Sequence, residues 1–103
     1  MKYRNKKVDS PDGPFDSQKE YKRWLELKLL ERAGEITHLE RQPKYDLFVN
    51  GFKVCAYIAD FTYRQNGEII TEDCKSPITR KDPVYRLKNK LMWAVCHIKI
   101  KET

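Results

Sequence analysis

Asp60, Asp73 and Lys75 are brought near one another by the strongest turn signal in the sequence. Asn66-Gly67 lies between two runs rich in β-branched and aromatic residues, and it favours a type I′ hairpin turn because both of its residues tolerate positive φ. Continuing the register outward from such a turn places Asp60 directly opposite Asp73. Side chains alternate between the faces of a strand, so Lys75 lies on the same face as Asp73. Two carboxylates and an ammonium are therefore expected to meet at one end of the hairpin.

These three side chains suit a particular chemistry. Two carboxylates that face each other across strands, with Cβ atoms roughly 4.5–5.5 Å apart, repel and destabilise the sheet unless a cation lies nearby. A divalent metal ion is the natural cation, and the ammonium of Lys75 adds further positive charge. This combination is typical of sites that hydrolyse phosphodiester bonds with a bound metal ion. The alternative is a solvent-exposed hairpin face with unrelated charges, since a D-x-K triplet is common.

Glu20 is a further carboxylate, which the sequence places at the rim of a buried face. Ser17 and Glu20 form a capping box ahead of an apolar-rich run, which predicts a helix from about Ser17 to Ala33 with Gly34 as its C′ residue. Glu20 lies one turn before Trp24, an apolar position of that helix. Its side chain can cap the helix or join a metal site, and the two roles are not fully exclusive.

Positive charge is concentrated at the two ends of the chain, whose net charge is +6. Residues 1–7 contribute four basic side chains, and residues 75–103 hold eight basic and two acidic side chains. Residues 8–74 hold nine basic and thirteen acidic side chains, so the middle of the chain is acidic. Basic ends for phosphates and central carboxylates for a cation suit a polyanionic partner. A generally basic soluble protein is the alternative.

The length of 103 residues predicts a single domain over residues 1–103, with residues 1–14 as a basic N-terminal arm. No apolar run approaches the ~20 residues of a membrane span, and the N-terminus lacks the apolar stretch of a signal peptide. An intracellular, cytoplasmic location is therefore expected, without a membrane partner. The three cysteines are widely spaced, which disfavours a disulfide framework or a structural zinc site.

The centre of the chain has the pattern of a strand meander. Apolar residues within 36–49 predict one irregular strand or two short ones, with Pro43 at an edge or a bulge. Asn50-Gly51 signals a second hairpin turn, which leads into a predicted strand Phe52–Arg64. The meander continues through Asn66-Gly67 into a predicted strand Glu68–Lys75.

The C-terminal part predicts a second helix and a last strand. A polar, basic loop is expected over residues 76–81. Asp82 is a good N-cap and Pro83 suits the first helical position, so a helix begins there. Strict alternation over residues 97–101 predicts a final strand. The order of helix, three antiparallel strands, helix and strand predicts a mixed α/β sheet with flanking helices.

With this order of elements the chain resembles the PD-(D/E)XK nuclease superfamily, whose core has the same order. The hallmark of that superfamily is an acidic residue on the second core strand and a (D/E)-x-K motif on the third, which Asp60 and Asp73-Cys74-Lys75 match. Glu20 matches the glutamate that many resolvase-like and exonuclease-like members carry on the first helix. The usual Pro before the first Asp is Ala59 here, which is a common departure.

More narrowly, the chain is similar to a small phage and prophage family of unknown function within that superfamily. The usual Gly after the lysine of that family is Ser76 here, which affects the geometry of the following loop. Similarity to phage Holliday-junction resolvases implies a homodimer that cuts branched DNA in the cytoplasm of the bacterial host. The stretches that carry the narrower similarity are Lys2–Lys7, Phe15–Glu20, Leu39–Pro43, Tyr57–Phe61 and Glu72–Lys75.

The resemblance implies a Mg²⁺-dependent DNA endonuclease in which Mn²⁺ can replace Mg²⁺. Asp60, Asp73, Glu20 and the backbone carbonyl of Cys74 would hold the metal ion, and Lys75 would orient water or offset negative charge. Basic residues at both ends would hold DNA phosphates: Lys2, Arg4, Lys6, Lys7, Arg80, Lys81 and Lys88.

Two other functions remain open at this point. The first is a catalytically silent DNA-binding module that recruits a replication or packaging partner, because basic ends alone satisfy it. The second is a sequence-specific nuclease of restriction or transposition type, although 103 residues leave little room for a separate sequence-reading domain.

Overall fold

The computed structural model describes residues 7–103, which form a mixed α/β fold. Its main sheet has four strands in the order β3-β6-β7-β8, and β1–β2 and β4–β5 form separate two-stranded sheets. The predicted mixed sheet with flanking helices is therefore confirmed. The elements are β1 (Val8–Ser10), β2 (Gly13–Phe15), α1 (Gln18–Arg32), β3 (Thr37–Arg41), β4 (Lys44–Val49), β5 (Phe52–Ile58), β6 (Phe61–Gln65), β7 (Glu68–Asp73), α2 (Pro77–Arg80), α3 (Pro83–Cys96) and β8 (Lys101–Glu102).

Helix α1 begins and ends where its capping residues predict. The Ser17 hydroxyl accepts a hydrogen bond from the backbone N–H of Glu20 at 3.1 Å, so one free N–H of the first turn is satisfied. Ala33 is the C-cap, and Gly34 follows with φ of 80°, a left-handed conformation that glycine adopts without steric cost.

The hairpin of β6 and β7 has the predicted register, running from Gln65 opposite Glu68 to Phe61 opposite Glu72. Asn66 and Gly67 both have positive φ, at 52° and 80°, as a type I′ turn requires. Strand β3 pairs antiparallel with β6, and β8 pairs parallel with β7. The sheet is therefore mixed, with β7 in its interior.

The predicted strand Phe52–Arg64 is wrong, because the chain breaks at Ala59 and Asp60 into two strands with different partners. Strand β5 pairs with β4, whereas β6 pairs with β3 and β7. The backbone N–H of Ala59 donates to the Pro43 carbonyl at 3.1 Å, which holds the chain at this change of partner. Residues 36–49 hold two strands, so five strands rather than three lie between α1 and α2.

Two predictions about the C-terminal part also need correction. The expected loop 76–81 contains the short helix α2, because the Ser76 hydroxyl accepts the N–H of Thr79 at 3.2 Å and acts as an N-cap. The expected strand 97–101 is replaced by the shorter β8, because His97 ends α3 in a left-handed conformation with φ of 55° and pairing with β7 begins only at Lys101. The start of α3 is as predicted, with Asp82 as N-cap.

Two apolar clusters cover the two faces of the main sheet. Helix α1 covers one face, where Trp24 stacks on Phe61 with ring centroids 5.8 Å apart. Helix α3 and the β4–β5 hairpin cover the other face. The buried residues of the first cluster are Phe15, Leu27, Ile36, Phe61 and Tyr63. Those of the second are Leu47, Tyr57, Ala59, Tyr85, Met92 and Ile100.

Cys55, Cys74 and Cys96 are free and half-buried. Cys74 packs against the α1 cluster, so its side chain faces away from that of Asp73, its neighbour in the chain. No helix within residues 7–103 has the length and apolar character needed to cross a membrane.

Candidate active site

Asp60 and Asp73 are held together by reciprocal hydrogen bonds at one end of the main sheet. The backbone N–H of Asp60 donates to Asp73 Oδ1 at 2.9 Å, and the N–H of Cys74 donates to Asp60 Oδ2 at 2.7 Å. Asp60 lies in the break between β5 and β6, and Asp73 is the last residue of β7. The hairpin register therefore brings the two carboxylates together, and each uses one oxygen to bind the backbone of the other strand.

Lys75 approaches the second oxygen of Asp73. Its Nζ lies 3.6 Å from Asp73 Oδ2 and 4.6 Å from the centroid of the Tyr85 ring. Asp73 is only 1% exposed, and its Oδ2 has no hydrogen-bond partner within the described part of the chain. A buried carboxylate oxygen without a hydrogen bond is costly, so this atom favours a cation closer than the Lys75 ammonium.

Glu20 is buried near Asp60 rather than exposed at the helix end. Its Oε2 accepts the backbone N–H of Asp16 at 3.3 Å, so the side chain does contribute to the helix cap. The pKa of Glu20 is raised to about 7, mainly by burial and in addition by the negative charges of Asp60 and Asp16. Glu20 thus caps α1 and lies within electrostatic range of Asp60.

Burial also raises the pKa values of both aspartates. Burial raises the pKa of Asp73 to about 6, although the Lys75 ammonium favours the ionised form. Burial also raises the pKa of Asp60, against the opposing hydrogen bond from the Cys74 N–H. Buried carboxyl groups with raised pKa values are a recognised feature of functional sites, where the folded state tolerates unfavourable charge.

The ligands available at this site are hard oxygen atoms. Within residues 7–103 no three His, Cys, Asp or Glu side chains gather closely enough to form a metal-binding group, so Glu20 does not complete a three-carboxylate cluster with Asp60 and Asp73. Mg²⁺ retains several waters and needs only one or two carboxylates. The aspartate pair, with the unsatisfied Asp73 Oδ2, fits that requirement.

The basic residues predicted to hold DNA differ in their placement. Lys88 lines a cleft of about 350 Å³ together with Lys75 and Tyr57, whose buried hydroxyl has no hydrogen-bond partner among the described residues. Arg80 lies near the C-terminal strand β8, with its Nε 3.9 Å from Glu102 Oε1. Lys7 and Lys81 are exposed. Three of the predicted contacts lie outside the described residues: Lys2, Arg4 and Lys6.

Glu72, which the sequence reasoning missed, is completely buried beside the site. Arg23 binds both of its oxygens, with Nε to Oε1 at 2.8 Å and Nη2 to Oε2 at 2.7 Å, and the Tyr63 hydroxyl also donates to Oε2. The hydrogen bond to Glu72 raises the pKa of Arg23. The predicted register already placed Glu72 opposite the apolar Phe61, and that pairing is the signal that could have identified it as buried. The ion pair fixes β7 against α1 immediately before Asp73.

No curated protein and no solved structure matches the chain significantly. A family model matches residues 1–102, which is nearly the whole chain, and its description is "Protein of unknown function (DUF1064)". The chain therefore belongs to this DUF1064 family.

Proposed function

We propose that this protein is a Mg²⁺-dependent endonuclease that hydrolyses phosphodiester bonds in DNA. The observation that carries the proposal is the convergence of Asp60, Asp73 and Lys75 around a buried carboxylate oxygen, Asp73 Oδ2, that has no hydrogen-bond partner among the described residues. Two carboxylates and an ammonium at one point are the groups that metal-assisted phosphodiester hydrolysis needs.

The order and pairing of the elements support the more specific proposal of a PD-(D/E)XK nuclease core. Helix α1, strands β3, β6 and β7, helix α3 and strand β8 follow one another in the order of that core. In the sheet these four strands lie side by side in the order β3, β6, β7 and β8, and β8 runs parallel to β7. In this interpretation the β4–β5 hairpin is an insertion between the first and second core strands. Asp60 then precedes the second core strand, and the D-x-K motif ends the third.

Each residue of the site has a distinct role in the proposed reaction. Asp60 and Asp73 would hold Mg²⁺, with the Cys74 carbonyl as a further ligand and Glu20 at the side of Asp60. A bound Mg²⁺ polarises the phosphate and lowers the pKa of a bound water. The Lys75 ammonium, held by Asp73 and the Tyr85 ring, can orient water by hydrogen bonding and offset the negative charge that develops on the phosphate.

The narrower proposal is a homodimeric enzyme of phage or prophage origin that acts on branched DNA in the cytoplasm of the host. It rests on the similarity to phage Holliday-junction resolvases. The basic residues Arg80, Lys81 and Lys88, which follow the D-x-K motif in the chain, would contact phosphates on either side of the site.

A cleavage assay tests this function. Wild type, Asp73→Asn, Lys75→Ala and the control Asp46→Asn are incubated with a four-way junction, a flap and a linear duplex, with Mg²⁺ or with EDTA. We expect Mg²⁺-dependent cleavage by wild type and a loss of at least about 100-fold in Asp73→Asn and Lys75→Ala. Asp46 is an exposed aspartate on the β4–β5 hairpin, paired with Lys53 at 3.2 Å, so its variant should retain full activity.

Two results would contradict the proposal. Equal cleavage by wild type and Asp73→Asn would show that the aspartate pair has no catalytic role. Tight, salt-sensitive binding of all three DNAs without any Mg²⁺-dependent cleavage would favour the DNA-binding module that recruits a partner.

A further inference from the structure

A second charged feature lies on the opposite face of β7 from Asp73. Here α1 and the C-terminal end of the chain enclose a recess of about 400 Å³, which we call the lysine recess. Its position follows from strand alternation, because Cys74 points to the α1 side while Asp73 and Lys75 point to the other side. The residues that line the lysine recess are Lys19, Lys22, Arg23, Glu26, Cys74, Lys101 and Thr103.

The lysine recess carries positive charge that its own residues do not neutralise. Arg23 is occupied, since it binds both oxygens of Glu72 and its Nη1 lies 3.3 Å from Glu26 Oε2. Within residues 7–103, Lys19, Lys22 and Lys101 form no ion pair with a carboxylate. Three lysine side chains therefore line the recess, and its one carboxylate side chain, Glu26, is engaged with Arg23.

Cys74 and Thr103 line the lysine recess beside the lysines. Thr103 Oγ1 lies 3.3 Å from Cys74 Sγ and donates to the Asp73 carbonyl at 3.5 Å, so both side chains are held at the end of β7. Neither is a carboxylate side chain, so neither offsets the positive charge of the lysines.

The lysine recess is joined through the backbone to the D-x-K segment. Lys19 Nζ donates to the Lys75 carbonyl at 3.2 Å, and the Thr103 N–H donates to the Asp73 carbonyl at 2.9 Å. A ligand in the recess would thus be held against the strand end that carries Asp73 and Lys75. Lysines bind phosphate as point charges, and most protein–DNA contacts that set position are made to phosphates.

We propose that the lysine recess binds a phosphate group of the nucleic-acid strand and so sets the register of that strand at the neighbouring carboxylates. The identity of the ligand rests on the proposed function, but binding in the recess needs neither Mg²⁺ nor Asp73. The phosphate can be an internal diester or a terminal 5′-monoester, since the same three ammonium groups recognise both.

Binding measured without metal separates this inference from the nuclease proposal. Fluorescence anisotropy in EDTA compares wild type, Asp73→Asn and the double variant Lys22→Ala/Lys101→Ala over a range of salt concentrations. The control is Lys90→Ala/Lys99→Ala, which removes two lysines that line another surface cavity, beside α3. All four positions are exposed, so neither double variant removes buried contacts.

We expect the recess variant to lose affinity by at least about tenfold at low salt and to show a salt slope smaller by about 1, because one phosphate contact is lost. Asp73→Asn should bind at least as tightly as wild type. Equal losses in the recess variant and the control, or no loss in either, would overturn the inference. Absence of cleavage by wild type would contradict the nuclease proposal but leave this binding result interpretable.

Two DNA ends distinguish the sources of the phosphate. Oligonucleotides of one sequence are compared with a 5′-phosphate and with a 5′-hydroxyl. A preference for the 5′-phosphate that disappears in Lys22→Ala/Lys101→Ala assigns a terminal phosphate to the lysine recess. Equal binding of both ends, with the same loss in the variant, assigns an internal diester. Recess variants that bind both ends like wild type would contradict either assignment.

Discussion

Raising the pH from 5 to 8 without divalent cations should destabilise the folded protein. The pKa of Asp73 is raised from 3.8 to about 6 and that of Glu20 from 4.5 to about 7. Between about pH 4 and pH 7 the folded state therefore binds more protons than the unfolded state, and stability falls as pH rises. Full stability from these groups is present below the unfolded pKa values, and it is lost as the pH passes through the folded values.

The size of this effect follows from the two shifts. At about 1.36 kcal/mol per pKa unit, each shift of roughly two units corresponds to about 3 kcal/mol. Glu20 also interacts with Asp60, so the two contributions are coupled and we expect a combined loss of about 2–4 kcal/mol. For a domain of this length, that loss lowers the melting temperature by roughly 10 °C or more.

Urea unfolding followed by circular dichroism, at several pH values between 5 and 8 in EDTA, measures this dependence. Asp73→Asn should remove about half of the pH dependence and raise stability at pH 8 by about 1 kcal/mol, because position 73 then buries no charge. The control Glu68→Gln, an exposed position on the same hairpin, should behave like wild type. Mg²⁺ should restore stability at pH 8 in wild type but not in Asp73→Asn.

The result that would refute the reasoning is a wild-type free energy of unfolding that is constant or increases between pH 5 and 8. Such a profile would mean that the buried carboxyl groups ionise without cost. The lack of positive charge near the aspartate pair would then not lower the free energy of unfolding, and Asp73→Asn would not stabilise the protein.

The same urea experiment can measure the effect of three further substitutions on stability. Arg23→Ala leaves Glu72 buried without its cation and should cost about 3–5 kcal/mol, whereas an unchanged midpoint would contradict the buried ion pair. Gly67→Ala places a Cβ at φ of 80° and should cost about 1–2 kcal/mol, and a neutral result would argue against the type I′ turn. Tyr57→Phe removes a buried hydroxyl that has no partner among the described residues, so stability should be unchanged or higher by up to about 1 kcal/mol; a clear loss would reveal a hydrogen bond.

The parts of the fold that were predictable depend on short-range chemistry. Asn66-Gly67 fixes a turn through its positive φ values, and the register of β6 and β7 follows from it without further information. Ser17 and Asp82 begin the two long helices because their side chains accept free N–H groups of the first turn. These signals involve residues within a few positions of one another.

The errors arose where distant partners decide the structure. Nothing in the run Phe52–Arg64 marks the break at Ala59 and Asp60, because the chain simply exchanges the partner β4 for β3 and β7. The final strand is shorter than expected because residues 97–100 alternate in polarity but lie outside the pairing with β7, which begins at Lys101. Helix α2 did have a local signal, a Ser N-cap followed by Pro, although the polar composition of residues 76–81 favours a loop.

The candidate site likewise combines contacts that the sequence predicts with contacts that it does not. The proximity of Asp60, Asp73 and Lys75 follows from the hairpin register, and so could be inferred from the sequence. The Arg23–Glu72 pair joins residues 49 positions apart, and the lysine recess joins α1 to the last residues of the chain. No local pattern encodes such contacts, because they depend on how α1 packs across the sheet.

The central claim is that the Asp60–Asp73 pair holds a divalent cation, and a crystal structure grown with saturating Mn²⁺ tests it most directly. We expect a peak in the anomalous difference map within about 2.3 Å of a carboxylate oxygen of each aspartate, near the ~2.1 Å typical of Mg²⁺–oxygen bonds. A map without a peak there, with both carboxylates still bound only to backbone N–H groups and Lys75, would contradict the claim.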